Sequence, residues 1–230
     1  ALRPRPPVSP AERAMRALVG TAARVRERGV AGMLSSSLDD LAAWASDEQS
    51  DILQVAAPDG TVTLLFSDIE DSTALNDRLG DKAWVRVLAA HDALVRAMVD
   101  KRRGRVVKTA GDSFMVAFRD PVPAVLAARG IQRALARTLD PRLRLTPVRV
   151  RIGVHTGTVI SRDGDYFGRN VSMAARVAAL ADGGEVLVTQ AVRDETSESG
   201  DRRMRFEEAG TVELKGLPGE HDLWRLVVET

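Results

Sequence analysis

The chain has 230 residues, which suits one domain with an extension or two small domains. It is 44% hydrophobic, 28% charged and carries a net charge of +1, so it can bury a core but has no basic excess for a nucleic-acid groove or a polybasic membrane patch. It contains no cysteine, which excludes disulfides, cysteine-built zinc sites and thiol nucleophiles and fits a reducing, cytoplasmic setting. Along the chain, residues 1–10 are Pro-rich and expected to fray, and residues 11–30 and 38–54 read as helices. Ser37 is a candidate cap for the second, with Asp39 and Asp40 favourable in its first turn. The turn-like Ala56-Ala57-Pro58-Asp59-Gly60 marks a boundary between a helical extension over 1–57 and a second domain over 58–230. Thr61–Ser67 is a β-rich apolar run and reads as a buried strand. Trp84, Val87, Leu88, Leu94, Val95 and Met98 repeat at helical spacing, which predicts an amphipathic helix over 82–99.

Arg105–Thr109 and Ser113–Phe118 read as two strands around the tight turn Ala110-Gly111-Asp112. A helix over about 121–138 starts on Pro121, where proline is tolerated. Val148, Val150, Ile152 and Val154 alternate with Arg149, Arg151, Gly153 and His155, the cleanest strand pattern in the sequence. The predicted class is therefore α+β, with a ferredoxin-like βαββαβ core. A short strand near 158–160, a helix over 168–180, a strand at 185–188 and two or three strands toward Val228 follow it. No apolar run approaches the roughly 20 residues of a membrane helix. The sequence opens on Ala1 with no signal-peptide pattern, so it reads as trimmed, or as the soluble part of something longer.

In this topology the first two strands run the same way, so the end of the first and the turn after the second share one sheet edge. That brings Asp68 and Asp112 together. Carboxylates are hard ligands suited to Mg²⁺ or Mn²⁺. Two such ions about 4 Å apart serve phosphoryl transfer. The run from Phe66 to Thr73 passes from strand to helix, and its free N–H groups, at Ser72 and Thr73, suit a phosphate. Taken singly, each aspartate is more simply a helix cap or a turn residue. His91 and His155 read as structural, and the run Lys101 to Arg105 as a solvated approach to the hairpin.

Four motifs carry a resemblance. Phe66-Ser67-Asp68-Ile69-Glu70-Asp71-Ser72-Thr73, Lys108-Thr109-Ala110-Gly111-Asp112, Arg151-Ile152-Gly153-Val154-His155-Thr156-Gly157, and Asp165-Tyr166-Phe167-Gly168-Arg169-Asn170-Val171 through Arg176 occur in that order. Together with Leu214-Lys215-Gly216-Leu217, they resemble class III adenylyl and guanylyl cyclases over roughly 60–228, and look more like the bacterial homodimeric branch than the mammalian membrane enzymes. The resemblance implies conversion of ATP to cyclic AMP and pyrophosphate with two Mg²⁺ or Mn²⁺ ions, at active sites shared across a homodimer. It implies Asp68 and Asp112 as metal ligands, with the Ile69 carbonyl as a further donor. Lys108 and Asp165 would read adenine, and Arg176 would hold the charge that develops in the transition state. A lysine donating to N1 and an aspartate accepting from the exocyclic amine fit adenine and mismatch guanine, a polar discrimination worth ~10⁴ or more. The family usually has asparagine four residues before this arginine, where this chain has Ser172. Asn170 lies roughly 200° around the helix from it and cannot take over. Two alternatives stay open: a guanylyl cyclase, which Lys108 and Asp165 oppose, and a weakly active or inactive nucleotide-binding domain, which Ser172 suggests.

Overall fold

A computed structural model of the chain describes residues 55–57, 59–162, 165–201 and 203–229. The helices expected over 11–30 and 38–54, with the Ser37 cap, lie outside the described residues. The strand β1 (Thr61–Ile69) is buried from Val62 to Ile69 and sits inside a seven-stranded sheet. The sheet contains β2 (Arg105–Ala110), β3 (Ser113–Phe118), β4 (Val150–Thr158), β7 (Val186–Thr189), β8 (Phe206–Leu214) and β9 (Leu217–Leu226) in the order β2-β3-β1-β4-β7-β9-β8. β1 and β2 are each antiparallel to β3 and so run the same way, as the ferredoxin-like reading requires. β7 is parallel to β4, and the β8–β9 hairpin extends the sheet beyond the four-stranded core.

Alternation along β1 sorts the core into two faces. Leu65 and Ile69 pack with the helices α2 (Asp81–Asp100) and α3 (Pro121–Ala136). Val62, Leu64 and Phe66 pack with α5 (Arg169–Leu180) through Val171, Ala174, Ala175 and Ala178. The alanines let this helix lie close to the sheet. A Cβ on Gly153 of β4 would stand 2.2 Å from the backbone nitrogen of Ala178, so only glycine fits beneath it. A second stripe of α5, Met173 and Val177, continued by Ala181 just past its end, packs against Leu187, Leu214, Leu217 and Leu223.

Several expected bounds move. β1 runs two residues further than expected, because Asp68 and Ile69 pair with Arg151 and Val150. The first crossover holds two helices, α1 (Ser72–Leu79) and α2, parted at Gly80, whose φ of 74° suits glycine. The five-residue α4 (Pro141–Leu145) precedes β4, capped by the Asp140 carboxylate accepting from the Arg142 N–H. β4 spans Val150–Thr158 rather than 148–155. The strand expected near 158–160 is β5 (Ile160–Arg162), paired with β6 (Asp165–Phe167) as a separate two-stranded sheet. α6 (Gln190–Glu198) was not expected; it is polar apart from a buried strip at Val192 and Thr196. Among the described residues no helix is long and apolar enough to cross a membrane.

Candidate active site

β1 delivers Asp68 on the same side of the sheet as Leu64 and Phe66, at its last turn of pleat before the chain leaves for α1. The side chain is 3% exposed. Ser113 Oγ donates to its Oδ1 at 2.6 Å, and Arg151, opposite it in register on β4, forms a buried ion pair with Oδ2. Asp112 stands in the β2–β3 turn, where only Gly111 takes positive φ, 61°, the pattern of a type II′ hairpin. Its Oδ2 accepts from the Ile69 N–H at 2.9 Å. Two aspartates 44 residues apart in sequence (112 minus 68) are thus joined through one backbone amide. Burial first, then the charge of Asp68, pushes the Asp112 carboxyl up to about 7.

This pair fits a divalent cation. Both groups are hard oxygen donors, and the raised Asp112 shows the electrostatic cost of crowding them, which a cation would remove. Among the described residues no group of three or more His, Cys, Asp or Glu could hold a metal ion. Two carboxylates with a backbone carbonyl leave coordination positions for water and for substrate phosphates, the usual arrangement for Mg²⁺.

The peptide between Ile69 and Glu70 would contribute the carbonyl. The Glu70 N–H donates to the Arg149 carbonyl at 2.8 Å. In a trans peptide the carbonyl points the opposite way, so the Ile69 oxygen faces away from β4, toward the side where Asp112 lies. α1 begins at Ser72, which is half-buried, and Thr73, which is exposed. Its N-cap, Asp71, is left-handed (φ 55°) and makes no side-chain cap hydrogen bond. Anionic Glu70 and Asp71 stand at this helix start, so its amides alone are a modest attraction for phosphate.

The other expected site residues lie elsewhere on the same face. Lys108 is opposite Met115 in register, and Met115 is opposite Phe66, so all three stand in one row of the α5 side. Tyr166, fully buried in that cluster, draws β6 and with it the backbone of Asp165 over the β1–β3 region. Ser172 and Arg176, one helical turn apart, fall on the face of α5 opposite both packed stripes. Within one chain α5 therefore turns them away from the sheet on which Asp68 sits.

Asn170 is occupied. Its Oδ1 faces His155 Nε2 at 3.1 Å and its Nδ2 donates to the Thr158 carbonyl at 2.7 Å. His155 Nδ1 meets Thr189 Oγ1 at 2.9 Å. Asn170 Oδ1 calls for a proton on Nε2, and burial holds the His155 pKa below the usual range, which favours the neutral ring with the Thr189 hydroxyl donating to Nδ1. His155 is structural, as the sequence suggested. His91 is buried as well, edge-on to Phe114 at 5.7 Å, in keeping with a core residue, and among the described residues no hydrogen-bond partner meets its Nε2. Burial pulls it down to about 4. Sequence reasoning passed over Ser113, Arg151 and Glu70. The charged positions of the β4 alternation were visible, but their partners appear only once the register Asp68 to Arg151 is known.

Residues 55–228 match the family model described as the adenylate and guanylate cyclase catalytic domain. The chain is 32% identical over 208 residues to the receptor-type adenylate cyclase ESAG 4 of Trypanosoma brucei brucei, covering 73% of this chain and 17% of that protein. It is 34% identical over 214 residues to the receptor-type adenylate cyclase B of Leishmania donovani, covering 74% of this chain and 16% of that protein. The chain thus spans about a sixth of the length of these relatives. A solved Trypanosoma brucei adenylate cyclase, in its monomeric state, superposes with a TM-score of 0.67 at 32% identity, over 74% of this chain and 90% of that one. The adenylyl cyclase CyaB of P. aeruginosa shares the fold, with a TM-score of 0.63 at 23% identity, over 74% of this chain and 95% of that one. The order of the four motifs, the seven-stranded sheet and these likenesses agree: the chain belongs to the family of adenylate and guanylate cyclase catalytic domains.

Proposed function

We propose that this domain is an adenylyl cyclase, converting ATP to cyclic AMP and pyrophosphate with two divalent ions at sites shared between two copies of the chain. The observation that carries the reading is the junction of Asp68 and Asp112 through the Ile69 amide, which leaves two crowded carboxylates at one sheet edge. Asp68, Asp112 and the Ile69 carbonyl would hold the metal ions. When bound, these supply a Lewis acid that polarises the ribose 3′-hydroxyl and the phosphates. Arg151, which pairs with Asp68, would keep a guanidinium beside the place the triphosphate would take. Lys108 and Asp165 would read the adenine edge, and Arg176 would hold charge that develops on the phosphates as the 3′-oxygen attacks the α-phosphorus. The chain supplies position and electrostatics rather than a covalent intermediate. The cytosolic side of a membrane, where ATP is available, is the corresponding location for a domain whose relatives are receptor-type proteins.

Support for ATP over GTP comes from Lys108 and Asp165 and from the adenylate cyclases among the relatives. Incubating the protein with Mn²⁺ and labelled ATP or GTP tests it. Cyclic AMP supports the reading, and cyclic GMP alone transfers it to guanylyl cyclase. Tight nucleotide binding without either product would leave a regulatory nucleotide-binding domain, the outcome that Ser172 favours.

A further inference from the structure

Glu70 directly follows the two residues that would offer ligands to metal, yet its own side chain turns to another part of the fold. Its Oε1 accepts from the Gly183 N–H at 2.8 Å, and its Oε2 pairs with the Arg149 guanidinium at 3.3 Å. Arg149 in turn donates from Nε and a terminal nitrogen to the Gly183 carbonyl, at 3.0 and 2.8 Å. The three residues close a ring. The Glu70 N–H also donates to the Arg149 carbonyl, so residue 70 is tied to residue 149 by both backbone and side chain. Gly183 is shaped to this contact, since a Cβ there would stand 2.5 Å from Glu70 Oε2 and 2.6 Å from Arg149 Cβ. Its loop is held from behind as well, because Gly184 N–H donates to the Val150 carbonyl and Asp182 N–H to Glu185 Oε2.

We infer that Glu70 is a positioning residue for the metal end of β1. Anchored at both groups, it fixes the plane of the 69–70 peptide, and that plane aims the Ile69 carbonyl toward the Asp112 side. Without the side-chain clamp, the 69–70 peptide keeps only the Glu70 N–H bond to the Arg149 carbonyl, next to Asp71 in a left-handed conformation that a non-glycine residue does not prefer, so the carbonyl is held less firmly. The exposed Arg149 ion pair is the weaker part of the clamp. The Gly183 hydrogen bond is the stronger part. The inference rests on the metal reading of Asp68 and Asp112.

The test is Mn²⁺ binding to the full chain, read by loss of the free Mn²⁺ paramagnetic resonance signal as protein is added, alongside turnover with ATP. Glu70→Ala should weaken Mn²⁺ binding about tenfold or more, as losing an outer-shell partner of a metal ligand does. Its kcat at saturating Mn²⁺ should stay near the parent value. Glu70→Gln keeps an acceptor for the Gly183 N–H and should recover most of the affinity. Leu143→Ala, which opens the core at a residue 3% exposed, controls for lost stability. If Asp68→Ala loses Mn²⁺ while Glu70→Ala binds like the parent, the inference is overturned and the metal reading stands. Weakening no greater than in Leu143→Ala at equal loss of Tm also overturns it. If Asp68→Ala binds Mn²⁺ as tightly as the parent, the metal reading itself fails and takes the inference with it.

Discussion

Asp68 has the Arg151 guanidinium beside it, whereas Asp112 bears the cost of burial first and then of the Asp68 charge. Its pKa is raised to about 7, above that of an unfolded aspartate. A group raised in this way stabilises the fold fully below the ordinary carboxylate range, and that contribution is lost as pH rises through about 7. Asp112→Asn keeps an acceptor for the Ile69 N–H and never ionises. In the absence of divalent metal it should therefore match the parent in Tm near pH 4 and exceed it by on the order of 5 °C at pH 8. Mn²⁺ should narrow that gap by binding only the parent. Thermal melts at the two pH values, with and without Mn²⁺, check this; equal Tm at pH 8 in chelator would show that the pair is not strained. Ser172 poses the other question at this scale. It stands on the outward face of α5 with Arg176, where the family usually places asparagine, and Asn170 is held by His155 and Thr158. Ser172→Asn should raise kcat at saturating ATP, and a gain of up to ~10² is the scale of one transition-state donor. An unchanged or lower kcat in a folded variant would show that serine is not a deficit.

At the scale of elements, the fit of α5 onto β4 decides how far Arg176 stands from the sheet. Gly153→Ala would drive a methyl to 2.2 Å from the Ala178 nitrogen, a backbone atom that yields only if the helix lifts. Overpacking of this kind costs about 1–3 kcal/mol or more. We expect a clear loss of Tm and a larger fractional loss of turnover than of stability, because the whole helix moves. A circular-dichroism melt paired with an activity assay measures both; a variant with parental Tm and rate would mean α5 is not seated as described. This level is also where the sequence was most and least readable. β4 declared itself through strict alternation, and β1 through its apolar run. α6 did not, because only Val192 and Thr196 of its nine residues are buried, and one of the two is polar. The two-residue extension of β1 was hidden because Asp68 is polar, and its place in the sheet depends on a partner, Arg151, far away in sequence. Asp68 and Asp112 were legible as a pair from topology alone; the clamp at Glu70 was not, since it joins three segments whose proximity no local pattern announces.

The whole molecule raises the question of how many chains make one site. Asp68 lies on the sheet beneath the inner side of α5, whereas Ser172 and Arg176 lie on its outer side. On the proposed reading, a second copy supplies to each nucleotide what the first turns outward. A two-fold dimer of identical chains builds two equivalent composite sites. Asp68→Ala and Arg176→Ala should each be nearly inactive alone. When the two are mixed and allowed to exchange, the heterodimer collects both lesions in one site and neither in the other. The intact site takes Asp68 from the Arg176→Ala chain and Arg176 from the Asp68→Ala chain. Random pairing makes about half the dimers mixed, each with one working site of two, so activity should return to roughly a quarter of the parent. The parent's specific activity should also fall on dilution, since on this reading a dissociated chain holds half of each site. Subunit exchange is followed independently by mass spectrometry of differently tagged chains. If exchange is complete and the mixture stays inactive, Asp68 and Arg176 do not serve one site from opposite chains, and the shared-site mechanism is wrong.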